Sequence, residues 1–186
     1  SQPVHQLGLV EPIDGLGQGV VVAVADASDG GLDARLARTR FEPVDLGRSI
    51  AAIVASRKAR GLPNDVEIAF ARPLDDAAIV NGDPSQLNRV IENLLGNAIS
   101  FSPPEGLVRI DATRDDGQVQ ITIEDEGPGI PEHAREAVFE RFHTDRPEGE
   151  AFGQHSGFGL SIARTIVEGH GGTIRATGRG ALANGA

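Results

Sequence analysis

The 186-residue chain predicts a two-layer α/β sandwich, a mixed sheet with its helices on one face, and three observations carry that prediction. Segments with period-two alternation are interleaved with segments of helical period, the pattern of strands and helices sharing one core. The clearest helix starts at Asp83-Pro84, an N-cap followed by proline at the first helical position, and stops at Pro103-Pro104-Glu105-Gly106. No Gly-rich turn joins a first strand directly to a first helix, which excludes a Rossmann unit.

Residues 1–31 are the least informative part of the chain. Gly8, Gly15, Gly17, Gly19, Gly30 and Gly31 surround the apolar run 20–24 and argue against a long helix. LDARLARTR, residues 32–40, fits one or two helical turns with Arg outward, and Glu42-Pro43 breaks it. Asp45 is an N-cap for a helix to about residue 60, with Leu46, Ile50, Ile53 and Val54 on one face and Gly61-Leu62-Pro63 as its stop. Residues 66–71 alternate as a strand and 78–81 form a shorter one. After the central helix come strands 107–114 and 118–124, joined by the hairpin turn Asp115-Asp116-Gly117. A glycine-containing turn at 125–131 leads to a short helix over 132–139. Residues 143–157 lack periodicity and read as a long functional loop. A helix over 158–169 is stopped by Gly169, Gly171 and Gly172, and 173–177 is a final strand. All strands are expected in one sheet.

The totals narrow the function. At 39% hydrophobic and 24% charged residues, the chain is an ordinary globular one that builds its core from Val, Ile, Leu and Ala. The absence of Cys removes thiolate chemistry, disulfides and Cys-type zinc sites. A net charge of −10 argues against nucleic acid and against direct contact with an anionic membrane surface. Lys58 is the single lysine, so an anionic ligand must be met by Arg, metal or backbone N–H groups. No apolar run approaches the roughly 20 residues that span a bilayer.

The central helix carries the first chemistry. Leu87, Val90, Ile91, Leu94, Leu95 and Ala98 form its apolar stripe, and Asn93 and Asn97 lie off it, stacked one turn apart on the same side. An amide is no general base, but its oxygen ligates Mg²⁺ and its NH₂ donates to phosphate. Asp125 follows a strand, where a carboxylate can accept from an exocyclic amine such as adenine N6, and Gly127 and Gly129 let backbone approach a flat base. Gly153, Gly157 and Gly159 lead into the helix beginning near Phe158, whose free N–H groups and dipole make an anion site without Lys.

Together these segments resemble the GHKL superfamily, and within it the catalytic ATP-binding domain of two-component sensor histidine kinases. NLLGNAISFSP stands as the N box, DEGPGIP as the first glycine box, VFERF (138–142) as the F box and SGFGLSI (156–162) as the second glycine box, with EGHGG closing the series. The resemblance implies a Bergerat ATP site over residues 42–178, with 1–41 a remnant of a dimerisation helix, a linker or an irregular segment and 179–186 a tail. In that site Asn97 would hold Mg²⁺ and Asn93 would line the phosphates. Asp125 would read adenine beside Gly127, Gly129 and Ile130. Gly157, Phe158, Gly159 and Leu160 would cradle phosphate beneath a lid, with Arg141 and Arg146 as phosphate contacts and Phe139 and Phe142 at the lid's hinge. Details such as NAISFSP look most like the acid-sensing, membrane-anchored sensor kinases of alphaproteobacteria.

The implied reaction is transfer of the γ-phosphoryl from ATP to a histidine of a dimerisation domain, for relay to a response regulator. The setting would be the cytoplasmic part of a homodimeric inner-membrane sensor. This chain departs from a complete kinase in lacking an H-box: His5, in HQLGLVEP, is followed by glycines and fits no phosphoacceptor pattern. His133, His143, His155 and His170 read as solvated or capping residues, since no carboxylate spacing makes them ligands. Two rivals stand beside this reading, a nucleotide-binding regulator without transfer and an ATPase of the chaperone or gyrase branch. The latter needs a Glu base one turn before the Mg-binding Asn, where this chain has Asn93.

Overall fold

The computed structural model describes residues 18–25, 41–73, 78–115, 117–140 and 158–178, of which 18–25 and Asp115 are described by backbone alone. Helix α1 (Leu46–Arg60) begins where Asp45 Oδ1 accepts a hydrogen bond from Arg48 N at 2.9 Å and ends at Gly61, whose φ of +84° suits glycine. Its basic last turn faces the negative end of the helix dipole, and Lys58 Nζ donates to Ile68 O at 2.8 Å. Helix α2 (Pro84–Phe101) is capped by Asp83, whose Oδ1 accepts from Ser85 N at 2.8 Å and Gln86 N at 3.1 Å. Leu87, Val90, Ile91, Leu94, Leu95, Ala98 and Ile99 are buried along it. Each large side chain on that stripe contributes roughly 1.5–3 kcal/mol through burial. Helix α3 (Gly159–Gly169) buries Ala163, Ile166 and Val167 and packs against α2.

Five strands form one mixed sheet: β1 (Gln18–Ala25), β3 (Glu67–Phe70), β5 (Leu107–Asp115), β6 (Gln118–Asp125) and β7 (Thr173–Gly178). Their order is β3-β5-β6-β1-β7, with β3 parallel to β5 and the other neighbours antiparallel. Asp115 pairs with Gln118, closing the two-residue hairpin at Gly117, whose φ is +80°. Along β6, Val119, Ile121, Ile123 and Asp125 are buried while Gln118 and Gln120 are exposed, so one face meets the helices. The two-layer sandwich expected from the sequence is the observed fold.

Three expectations are corrected. Strands β2 (Glu42–Asp45) and β4 (Ile79–Gly82) do not join the main sheet but pair as a separate antiparallel ribbon. Asp45 ends β2 and caps α1, and Asp83 follows β4 and caps α2, so the ribbon ties together the starts of two helices. Pro43 is accommodated within it because each ribbon strand keeps an unpaired edge. The helix expected over 132–139 is two 3-10 turns, Glu132–Ala134 and Ala137–Phe139. Buried Ala134 and Phe139 are five positions apart, about 140° around an α-helix, so one continuous helix could not bury both. Finally, residues 18–25, read as part of an irregular or linker segment before a domain starting at 42, form β1 inside the sheet. Their apolar β-branched run suits a strand, but its partners lie about 100 and 150 positions away, beyond any local pattern.

Candidate functional site

Asp125, the last residue of β6, is only 6% exposed. Its Oδ1 accepts from Gly127 N at 2.8 Å, the single hydrogen bond shown for its carboxylate among the described residues. Burial pushes its pKa up to about 6, against a smaller opposing effect of that N–H. Gly127 is confined: an added Cβ would lie 2.6 Å from Asp125 Oδ1 and 2.8 Å from Phe101 O, at the end of α2. Gly129 has φ of +83°, a backbone region that favours glycine, and Ile130 packs partly buried against the core. The acid is therefore held at a strand tip between a glycine turn and the last turn of α2.

Asn93 and Asn97 lie half-buried on α2, further toward its N-terminus. Asn93 Nδ2 donates to Gly159 O at 3.1 Å, joining α2 to the first residue of α3 across 66 positions of sequence. An added Cβ at Gly159 would sit 3.7 Å from the Asn93 carboxamide. Phe158 is the N-cap of α3 and supplies no side-chain cap, while its carbonyl accepts from Ser161 Oγ at 3.0 Å. The start of α3 therefore lies beside Asn93, and a helix start is an end whose N–H groups and dipole attract anions.

The structure thus brings Asn93 to Gly159, and Asp125 to Gly127. Arg141, Arg146, Gly153, Gly157 and Phe142 lie outside the described residues, as do His5, His143 and His155. Phe139 is buried, with the Arg164 guanidinium 5.7 Å from its ring centre. His133 is exposed, but His170, read as solvated or capping, is the C-cap of α3 and only 1% exposed. Its Nδ1 lies 2.8 Å from Ile166 O and its Nε2 accepts from Asp83 N at 3.1 Å, so both ring nitrogens are used and the ring joins α3 to the cap of α2. Phe41 stacks on it at 4.8 Å. Glu126, which the motif contained without a role, accepts from Leu107 N at 3.0 Å and fastens the start of β5 to the end of β6. Neither role leaves a local sequence signal, because Leu107 N and Asp83 N are distant backbone groups. Among the described residues, no group of three or more His, Cys, Asp or Glu side chains could hold a metal, and no helix is long and apolar enough to cross a membrane.

One α/β sandwich thus carries a buried acid at a strand tip, two amides on its central helix and a glycine-led helix that meets the first of those amides. The model of the histidine kinase-, DNA gyrase B-, and HSP90-like ATPase family matches residues 82–183, and the chain belongs to that family. It is 43% identical over 160 residues to Sensor protein ChvG of Rhizobium meliloti (strain 1021), covering 82% of this chain and 28% of that protein. Identity to Sensor protein ChvG of Agrobacterium fabrum (strain C58 / ATCC 33970) is 39% over 160 residues, with 82% and 27% covered. The chain spans less than a third of the length of these relatives. The solved structure of a mycobacterial sensor histidine kinase, MprB, matches with a TM-score of 0.59 at 33% identity, covering 73% of this chain and 94% of that one. In fold and family this is a histidine kinase catalytic domain.

Proposed function

We propose that the chain binds Mg²⁺–ATP between Asp125 and the start of α3 and delivers the γ-phosphoryl to a histidine imidazole on a dimerisation domain. The phosphoryl then passes to a response-regulator aspartate. The observation that carries this reading is Asp125: a buried carboxyl with one backbone donor and a pKa raised to about 6 is an acceptor short of a donor, as an adenine amino group would supply. The crowded Gly127 lets the backbone beside it come flush with a base. At the other end, Asn93 and the α3 start would offer neutral donors to phosphate, and the Asn97 oxygen would hold Mg²⁺. When bound, Mg²⁺ neutralises phosphate charge and orients the triphosphate for in-line transfer.

The chain's own part is positioning, and the acceptor is supplied by another domain. Hydrolysis is expected to be slow. The position a turn before Asn97 holds Asn93, whose NH₂ is engaged with Gly159, and the neighbouring Glu92 is exposed. Calorimetric titration with a non-hydrolysable ATP analogue tests the reading: binding to the wild type should tighten with Mg²⁺, and Asn97→Ala should remove that tightening. A dimerisation domain carrying its histidine should then acquire labelled phosphate from ATP. Nucleotide binding without transfer supports the regulator instead, and rapid turnover by this chain alone contradicts the kinase assignment.

A further inference from the structure

The β6–β7 slot holds a strand that enters from the other end of the chain. Its occupant, β1, runs antiparallel to both neighbours, pairing Gln18 through Ala25 with β6 and Gln18 through Ala23 with β7. Among the described residues, β7 joins the sheet only through β1. The two strands it unites serve opposite ends of the candidate site. β6 ends at Asp125, and β7 follows α3, whose first residue receives the Asn93 hydrogen bond. The register places Gln18 opposite both Asp125 and Gly178. Gly178 is itself crowded by the glycine turn, since an added Cβ there would lie 2.7 Å from Ile130 O.

Without β1, β6 and β7 would stand two strand spacings apart, roughly 10 Å, with their facing backbone groups unpaired. β1 also pairs with residues about 100 to 160 positions away, so no short turn holds it in place, unlike the β5–β6 hairpin. Pairings with such long closures are added after local structure has formed, because the closure entropy must be met first.

We propose that the β6–β7 slot is a strand-binding site whose ligand is residues 18–25 of this chain, and that insertion of this strand and nucleotide binding at Asp125 strengthen one another. Resting on the nucleotide-binding reading above, this makes the upstream segment a direct control on affinity: whatever withdraws β1 loosens the site, and by linkage nucleotide holds β1 in. The recognition is main-chain addition to a sheet, with the apolar run as the inserted strand.

The test uses the full chain and the ATP analogue AMP-PNP. Amides of residues 19–24 are expected to exchange hydrogen through an opening less costly than the one exposing the α2 core, and saturating AMP-PNP should slow them about tenfold. Val22→Pro removes a ladder N–H in the middle of the strand and should weaken AMP-PNP about tenfold while α2 and the β5–β6 hairpin stay protected. Exchange of residues 19–24 only together with the α2 core, or without response to AMP-PNP, overturns the proposal whether or not the proline variant folds. So does a folded Val22→Pro chain that binds AMP-PNP like the wild type. If the wild type binds no AMP-PNP, the nucleotide reading itself fails and takes this proposal with it.

Discussion

Gly127 and Gly159 sit in motifs that look alike on paper, yet the structure surrounds them differently. At Gly127 an added Cβ would press within 2.6 Å of the Asp125 carboxylate and 2.8 Å of the Phe101 carbonyl, whereas at Gly159 the nearest Asn93 atom would be 3.7 Å away. The first glycine is required by the folded backbone and the buried acid beside it. The second is free of that demand among the described residues, and what it offers is a helix start beside Asn93. The Asp125 end is thus built by a local turn pressed against α2, and the Asn93 end by two helices meeting across 66 positions of sequence.

The largest expected effect breaks the Asp125 end. Its pKa of about 6 lies above the ordinary range of an aspartate, so its ionisation destabilises the free protein at neutral pH. That cost is absent below about pH 4, grows as pH rises toward 6 and is complete above it, reaching about 3 kcal/mol at pH 7. Asp125→Asn should raise the stability of the nucleotide-free protein by an amount of that order and flatten the fall in stability between pH 4 and 6, as urea titrations at several pH values would show. The same variant should lose about a hundredfold in adenine-nucleotide affinity, the worth of a hydrogen bond to a charged acceptor. Wild-type affinity should itself decline below about pH 6, where the acid protonates. A variant that binds normally would remove Asp125 from recognition.

Gly127→Ala follows. Overpacking against the Phe101 carbonyl should cost about 2 kcal/mol by denaturation, with nucleotide affinity lost alongside. Asn93→Ala tests the other end more gently. Loss of its hydrogen bond to Gly159 should cost about 1 kcal/mol and weaken a triphosphate analogue about tenfold while leaving adenosine binding unchanged. Equal losses for adenosine and triphosphate would erase the division between the two ends. Gly159→Ala should be the mildest, changing stability by no more than about 0.5 kcal/mol, because a methyl there meets only ordinary contact distances. A loss of 2 kcal/mol would show that the second glycine is as constrained as the first.

Much of this was legible beforehand, and the misses share a cause. Asp45 and Asp83 announced their helices because a cap acts within three residues. The α2 stripe and the β5–β6 hairpin were equally plain, being periodic or closed by a short turn. Glu126, His170 and the run at 20–24 gave no such notice, since their partners are Leu107 N, Asp83 N and strands β6 and β7.

The order of residues alone therefore determined the three α-helices, the hairpin, the α/β layering and the chemical types of the site's groups, because each depends on interactions spanning a turn or two of chain. Tertiary structure decided which of those groups meet: Asn93 with α3, Gly127 pressed between the buried Asp125 and the end of α2, His170 under the α2 cap, and β1 between two strands far along the chain. Contacts of that kind are set by burial and backbone pairing across the whole domain, and no local pattern encodes them.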